Sequence, residues 1–178
     1  MRLIGPILPL LVVLAPAIAR AQSFTVHGAA GPTIVDAGYS VAAGAGFLVN
    51  PRVTIQLGLE RSHLSSRTRS DGRGGESVFR GGTVTYGSAE LNVTLFGRER
   101  VTPYALAGFA AGISHPSVNA SFPNRVTNDV RAVFFGGGVH VPVRDSLSVF
   151  ADARMVIGGE AGETLALLPL RAGIGWRF

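Results

Sequence analysis

ALLPLRAGIGWRF, residues 166–178, alternates in twos. Read back from its end, Phe178, Trp176, Ile174, Ala172, Leu170, Leu168 and Ala166 form an apolar row. Between them stand Arg177, Gly175, Gly173, Arg171 and Pro169. Successive side chains of a β-strand point to opposite faces. This strand therefore has one apolar face and one that is charged or small. A soluble sandwich would turn the apolar face to a core. An ending with aromatics at its last positions fits a strand that closes a barrel in lipid. The rest of the chain decides between the two.

The amino terminus sets the compartment. MRLIGPILPLLVVLAPAIARA carries Arg2, an apolar run from Leu3 to Ala19, and the A-x-A site Ala19-Arg20-Ala21. This reads as a secretory signal peptide over 1–21, with Gln22 the first mature residue. An uncleaved anchor is disfavoured, because Pro6, Pro9 and Pro16 interrupt a run already short of the roughly 20 residues a spanning helix needs. Residues 22–178 then form one domain. Without Arg2 and Arg20 that domain holds 14 arginines against 11 acids, a net charge of +3, and the chain contains no lysine. So modest a charge on an exported chain argues against nucleic acid as a partner. The absence of cysteine excludes disulfides, thiol chemistry and cysteine-based metal sites.

Alternating segments can be read at 24–30, 38–49, 52–63, 81–96, 101–113, 130–143, 146–157 and 164–178. The third is the cleanest. Val53, Ile55, Leu57 and Leu59 face one way; Thr54, Gln56, Gly58 and Glu60 face the other. The fourth sets Ala89, Leu91, Val93 and Leu95 against Ser88, Glu90, Asn92 and Thr94. The seventh sets Leu147, Val149, Ala151, Ala153, Met155 and Ile157 against Ser148, Phe150, Asp152 and Arg154. Helical periodicity fits these windows less well. Two segments resist. Around Tyr104-Ala105-Leu106-Ala107-Gly108-Phe109 both faces are apolar or small, which leaves the phase open. In the sixth, Gly136-Gly137-Gly138 suggests a bulge, while Val139, Val141 and Val143 place the odd positions outward.

The connections alternate in length. Asn50-Pro51, 97–100 and Arg144-Asp145 read as tight turns, and the intervening connections near 31–37, 64–80, 114–129 and 158–163 as longer loops. Short turns at one end and longer loops at the other fit an all-β fold: an eight-stranded antiparallel up-and-down transmembrane barrel. With its signal peptide, eight alternating strands, the Pro103-Tyr104 strand opening and the GIGWRF ending, the mature chain resembles the small eight-stranded outer-membrane barrels, OmpA-type and OmpX-type, of Gram-negative bacteria. The resemblance implies location in the outer membrane. It also implies recognition of Trp176 and Phe178 by the barrel-assembly machinery during biogenesis. A peptidoglycan-binding domain of the OmpA kind is not expected after Phe178.

The inward phase holds Glu60 and Glu90 on strands three and four, Asp152 and Arg154 on strand seven, and Arg171 and Arg177 on strand eight, all but Arg177 at mid-barrel height. Strands three and four lie across an eight-stranded barrel from seven and eight, so a buried ion network is expected, plugging an interior that side chains just fill. A gate that exchanges these pairs to pass small solutes is the sharper alternative. His27 and His140 share the inward phase and read as hydrogen-bonding interior residues; no metal and no cofactor are expected.

The longest loop carries Arg67, Arg69, Arg73 and Arg80, suited to lipopolysaccharide phosphates, against the plainer reading of a solvated loop. Tyr39, Phe47, Phe96, Trp176 and Phe178 would serve as interface aromatics. Lipid A deacylases of this shape resemble a His-x-Ser pair with an orienting Glu. His63-Leu64-Ser65 and His115-Pro116-Ser117 supply the pair, but Glu60 and Glu90 point inward and Glu76 lies in the loop. Ten-stranded proteases would need a longer chain. Adhesion through the loops is a further class, weakened by their few aromatics. The expectation is a monomeric, non-enzymatic barrel with a structural or binding role, in contact with outer-membrane lipid and lipopolysaccharide.

Overall fold

The structure is a computed structural model that describes residues 24–34, 37–70, 76–79, 81–96, 101–118, 124–160 and 163–178. The signal-peptide segment 1–21 lies outside the described residues. The barrel strands are β1 (Phe24–Thr33), β2 (Gly38–Asn50), β3 (Val53–Leu64), β4 (Gly82–Thr94), β5 (Thr102–Pro116), β6 (Asn128–Pro142) and β7 (Leu147–Glu160). The eighth, β8, comes in two pieces, Glu163–Leu167 and Leu170–Arg177. Each strand pairs antiparallel with its neighbours in chain order, and β8 pairs back onto β1. The sheet thus closes into a barrel through β1 and Leu170–Arg177, while among the described residues Glu163–Leu167 pairs with β7 alone.

Alternation follows the sequence. On β3, Leu57 and Leu59 are exposed on the outside while Glu60, Ser62 and Leu64 are buried within. The open phase of β5 resolves with Leu106, Ala110 and Ser114 buried and Phe109 and Ile113 outward. The expected bulge at Gly136–Gly138 is absent, since β6 keeps continuous register with both β5 and β7. The register shift falls instead on β2, between Leu48 and Asn50.

The loop lengths need correction. At the loop end 65–81 and 117–127 are the long connections; only the four residues 34–37 separate β1 from β2 and the two residues 161–162 separate β7 from β8, because β1, β7 and β8 continue their ladders farther than the sequence pattern suggested. The long connection itself contains a short antiparallel hairpin, Arg67–Ser70 with Glu76–Phe79.

The lumen has two unlike halves. Toward the loop end, Leu64, Val84, Leu106, Val130, Phe134, Val156 and Leu167 pack into one buried apolar cluster. Room for its largest members comes from glycines directly across the ladder. Gly112 opposes Tyr86, and Gly108 opposes Phe134. A Cβ on Gly112 would lie 2.0 Å from the Thr85 carbonyl oxygen and 2.5 Å from Tyr86 Cα. Gly112→Val is therefore expected to cost about 1–3 kcal/mol, seen as a lower urea midpoint for the loss of the heat-modifiable folded band. Gly28→Ala, whose Cβ would meet nothing closer than 3.9 Å, serves as the neutral control.

Candidate functional site

Below the apolar cluster lies a layer of charge. Glu60, Glu90, Asp152, Arg154 and Arg171 are each 7 % exposed or less, and the structure brings all of them together. Arg171 reaches from β8 to Asp152 on β7 with two bonds, Nε to Oδ1 at 2.9 Å and Nη2 to Oδ2 at 2.8 Å. Its Nη1 donates to Glu60 Oε2 across the lumen at 2.8 Å. Arg154 pairs with Glu90 through both guanidinium ends and reaches Asp152 Oδ2 at 3.3 Å. Asp152 thus joins two arginines that each clamp an acid on the opposite wall. The forked guanidinium suits this bridging, since its donors diverge in a plane.

Several partners escaped the sequence reading. Tyr104 donates its hydroxyl to Asp152 Oδ2 at 3.2 Å, and the ring of Phe134 lies 5.4 Å from the Arg154 guanidinium carbon. Tyr104 stood in the segment whose phase was open, so no sequence signal placed it inside. Gly136 and Gly138 oppose Arg154 and Asp152 in register. A Cβ on Gly138 would meet Asp152 Cβ and Tyr104 Cζ at 2.8 Å. The glycine run read as a bulge is instead the clearance beside the ion layer.

On the turn side of that layer the lumen opens into a cavity of about 930 Å³. Glu90, Asp152 and Arg154 form its floor, and Pro51, Arg52, Arg144 and Asp145 stand at its mouth. His27 and His140 line its wall, with the His27 ring edge-on to Phe150 at 6.1 Å. The lumen is therefore a cup, closed at mid-height by charge and beyond it by apolar packing. Among the described residues no group of three or more His, Cys, Asp or Glu could hold a metal ion.

The remaining candidates fall apart spatially. Trp176 and Phe178 face outward at the turn end, where the Phe178 ring meets that of Phe24 at 6.3 Å. Tyr39 sits at the loop end, its ring 5.4 Å from that of His63. His63 faces outward while Glu60 and Glu90 are held inside in ion pairs, so neither acid can orient it. His115 Nδ1 shares a hydrogen bond with Thr127 Oγ1 at 3.1 Å. Arg67 and Arg69 lie on the loop hairpin, and Arg73 and Arg80 lie outside the described residues.

No family model matches the sequence, and no curated protein matches it significantly. Solved structures do match. The chain superposes on the N-terminal β-barrel domain of Pseudomonas aeruginosa OprF with a TM-score of 0.63 at 14 % identity, covering 88 % of this chain and 98 % of that one. Neisserial surface protein A gives 0.66 at 14 % identity, over 88 % and 97 % of the two chains. Ail of Yersinia pestis, solved with the heparin analogue sucrose octasulfate, gives 0.52 at 16 % identity, over 88 % and 97 %. The fold is that of the small eight-stranded outer-membrane barrels, and at these identities the likeness is one of fold.

Arg171 holds two carboxylates, so Arg171→Ala leaves both short of a partner, and Arg154→Ala does the same for Glu90. Each is expected to destabilise the barrel by about 3–5 kcal/mol and to lower the temperature at which the folded band disappears on a gel. Unchanged heat resistance in both variants would mean that the ion layer contributes nothing to stability.

Proposed function

We propose that this chain is a monomeric structural protein of the Gram-negative outer membrane, delivered by a cleaved signal peptide and carrying no catalytic activity. The observation that carries this reading is an inversion of burial. Leu57, Leu59, Phe109, Val133, Phe135 and Ile174 are exposed on the outer wall while five charged side chains are buried inside. In water such a wall would be an aggregation surface; in lipid it is the expected one. The turns then face the periplasm and the two long loops the exterior. Trp176 and Phe178 would act as the assembly signal. Arg67, Arg69, Arg73 and Arg80 would meet lipopolysaccharide phosphates from the long loop. Absence of catalysis is supported by the separation of His63 from Glu60 and Glu90.

The chain has a single tryptophan, Trp176, 46 % exposed on the outer face. Its fluorescence in reconstituted vesicles is expected to be quenched by lipids brominated near the headgroup end of the acyl chains and far less by iodide in solution. Equal quenching by iodide would place this wall in water and end the membrane reading.

A second reading, a narrow channel for small solutes, is favoured by the cavity that already opens half the lumen. The loop-side apolar cluster argues against it. In planar bilayers the protein is expected to be silent, and discrete single-channel steps would favour the channel instead.

A further inference from the structure

An eight-stranded barrel is ordinarily filled by its own side chains. The loop-side half obeys that rule with Leu, Val, Tyr and Phe. The turn-side half breaks it. Six of its inward positions, Thr25, Thr54, Thr94, Thr102, Ser148 and Gly175, are small, and the larger side chains that share the wall leave the middle open. The resulting space, about 930 Å³, lies at the upper end of the range of small-molecule sites. Plugging the barrel requires none of it, since the ion layer and the apolar cluster already close the lumen.

We propose that this vestibule is a binding site for a small organic oxyanion, a polycarboxylate or a phosphate ester, that enters from the turn end. The charge around it selects the class. On the floor, Arg154 is committed to Glu90 and Asp152, and Asp152 also to Arg171. Arg52, Arg144 and Arg177 also line the space and form no salt bridge among the described residues. Among the described residues Asp145 is the one further acid in the lining, so their charge left for a ligand is three positive against one negative. Gln56, Asn92, Tyr104 and His140 add neutral polar groups along the wall, and Phe150 an apolar flank. Such a mixture of a few fixed charges, amide and hydroxyl groups and one ring is what orients a small polar ligand. Arginine in particular pairs an oxyanion with two parallel donors. Only the compartment that supplies the ligand depends on the outer-membrane reading; binding itself does not, and Trp176 quenching tests that reading separately.

Isothermal titration of the refolded protein in a maltoside detergent, at low ionic strength, decides the matter with citrate and inorganic pyrophosphate as probes. Saturable one-site binding of either is expected, and the preferred probe tells carboxylate from phosphate. Arg177→Gln, which removes from the wall a cation that forms no salt bridge among the described residues, is expected to weaken binding by about tenfold or more. Thr102→Trp, which fills the vestibule without changing charge, is expected to abolish it. Arg61→Gln, on the outer face near the loop end, should leave it unchanged. The folded band on a gel verifies each variant, and Arg177→Gln remains decisive if Thr102→Trp does not fold. The proposal is overturned if neither probe binds up to about 10 mM. It is equally overturned if Arg177→Gln binds as tightly as the parent, or if Arg61→Gln weakens binding as much as Arg177→Gln does.

Discussion

Closing eight strands on themselves leaves a narrow lumen, and several of its largest side chains stand directly across the ladder from a glycine. Tyr86 is opposed by Gly112, Phe134 by Gly108, Arg154 by Gly136, Asp152 by Gly138 and Phe150 by Gly173. The ion layer exists because β6 offers two glycines where β7 offers Asp152 and Arg154. Glycine in a strand loses backbone entropy and contributes no packing of its own. Here the cost is offset by continuous ladders on both sides, with one register shift among the described pairs, on β2.

The ion layer also marks a boundary between two media. On one side Arg154 lies over the ring of Phe134, a member of the apolar cluster. On the other it forms part of the floor of the polar vestibule. Three carboxylates and two guanidiniums set fully in hydrocarbon would be costly, because the attraction between them would have to offset the whole loss of hydration. A floor facing a polar space keeps part of that hydration. The bonds of Asp152 to Arg171, Arg154 and Tyr104 occupy its remaining lone pairs. The layer thus seals the barrel without isolating its charges.

Much of this was legible in the order of residues. Period-two alternation in β3 and β7 is strong enough to assign both faces, and the topology of an up-and-down barrel then carries Glu60 and Glu90 across from Asp152, Arg154 and Arg171. Where alternation fails, so does the reading. Around Leu106 and Gly108 apolar or small residues occupy both faces of β5, and only the closed barrel, which buries Leu106 and Ala110 and brings Tyr104 to Asp152, distinguishes them. Gly136–Gly138 looked like a break in the strand because local sequence cannot tell a glycine that bends a ladder from one that clears space for a neighbour. The vestibule was invisible for a related reason. It is made of what Thr25, Thr54, Thr94 and Thr102 do not fill, and an empty volume depends on all eight strands at once.

The pairing of glycine with bulk has a consequence for how such a chain diverges. Space in the lumen belongs to a pair of strands rather than to a residue, so a large side chain can migrate to the neighbouring strand when the glycine moves the other way. The outer wall asks only that its residues be apolar. A lineage can therefore rewrite nearly every position, in coupled exchanges inside and free ones outside, while the cylinder stays the same. Identities of 14 % to barrels of the same fold agree with so loose a demand on individual positions.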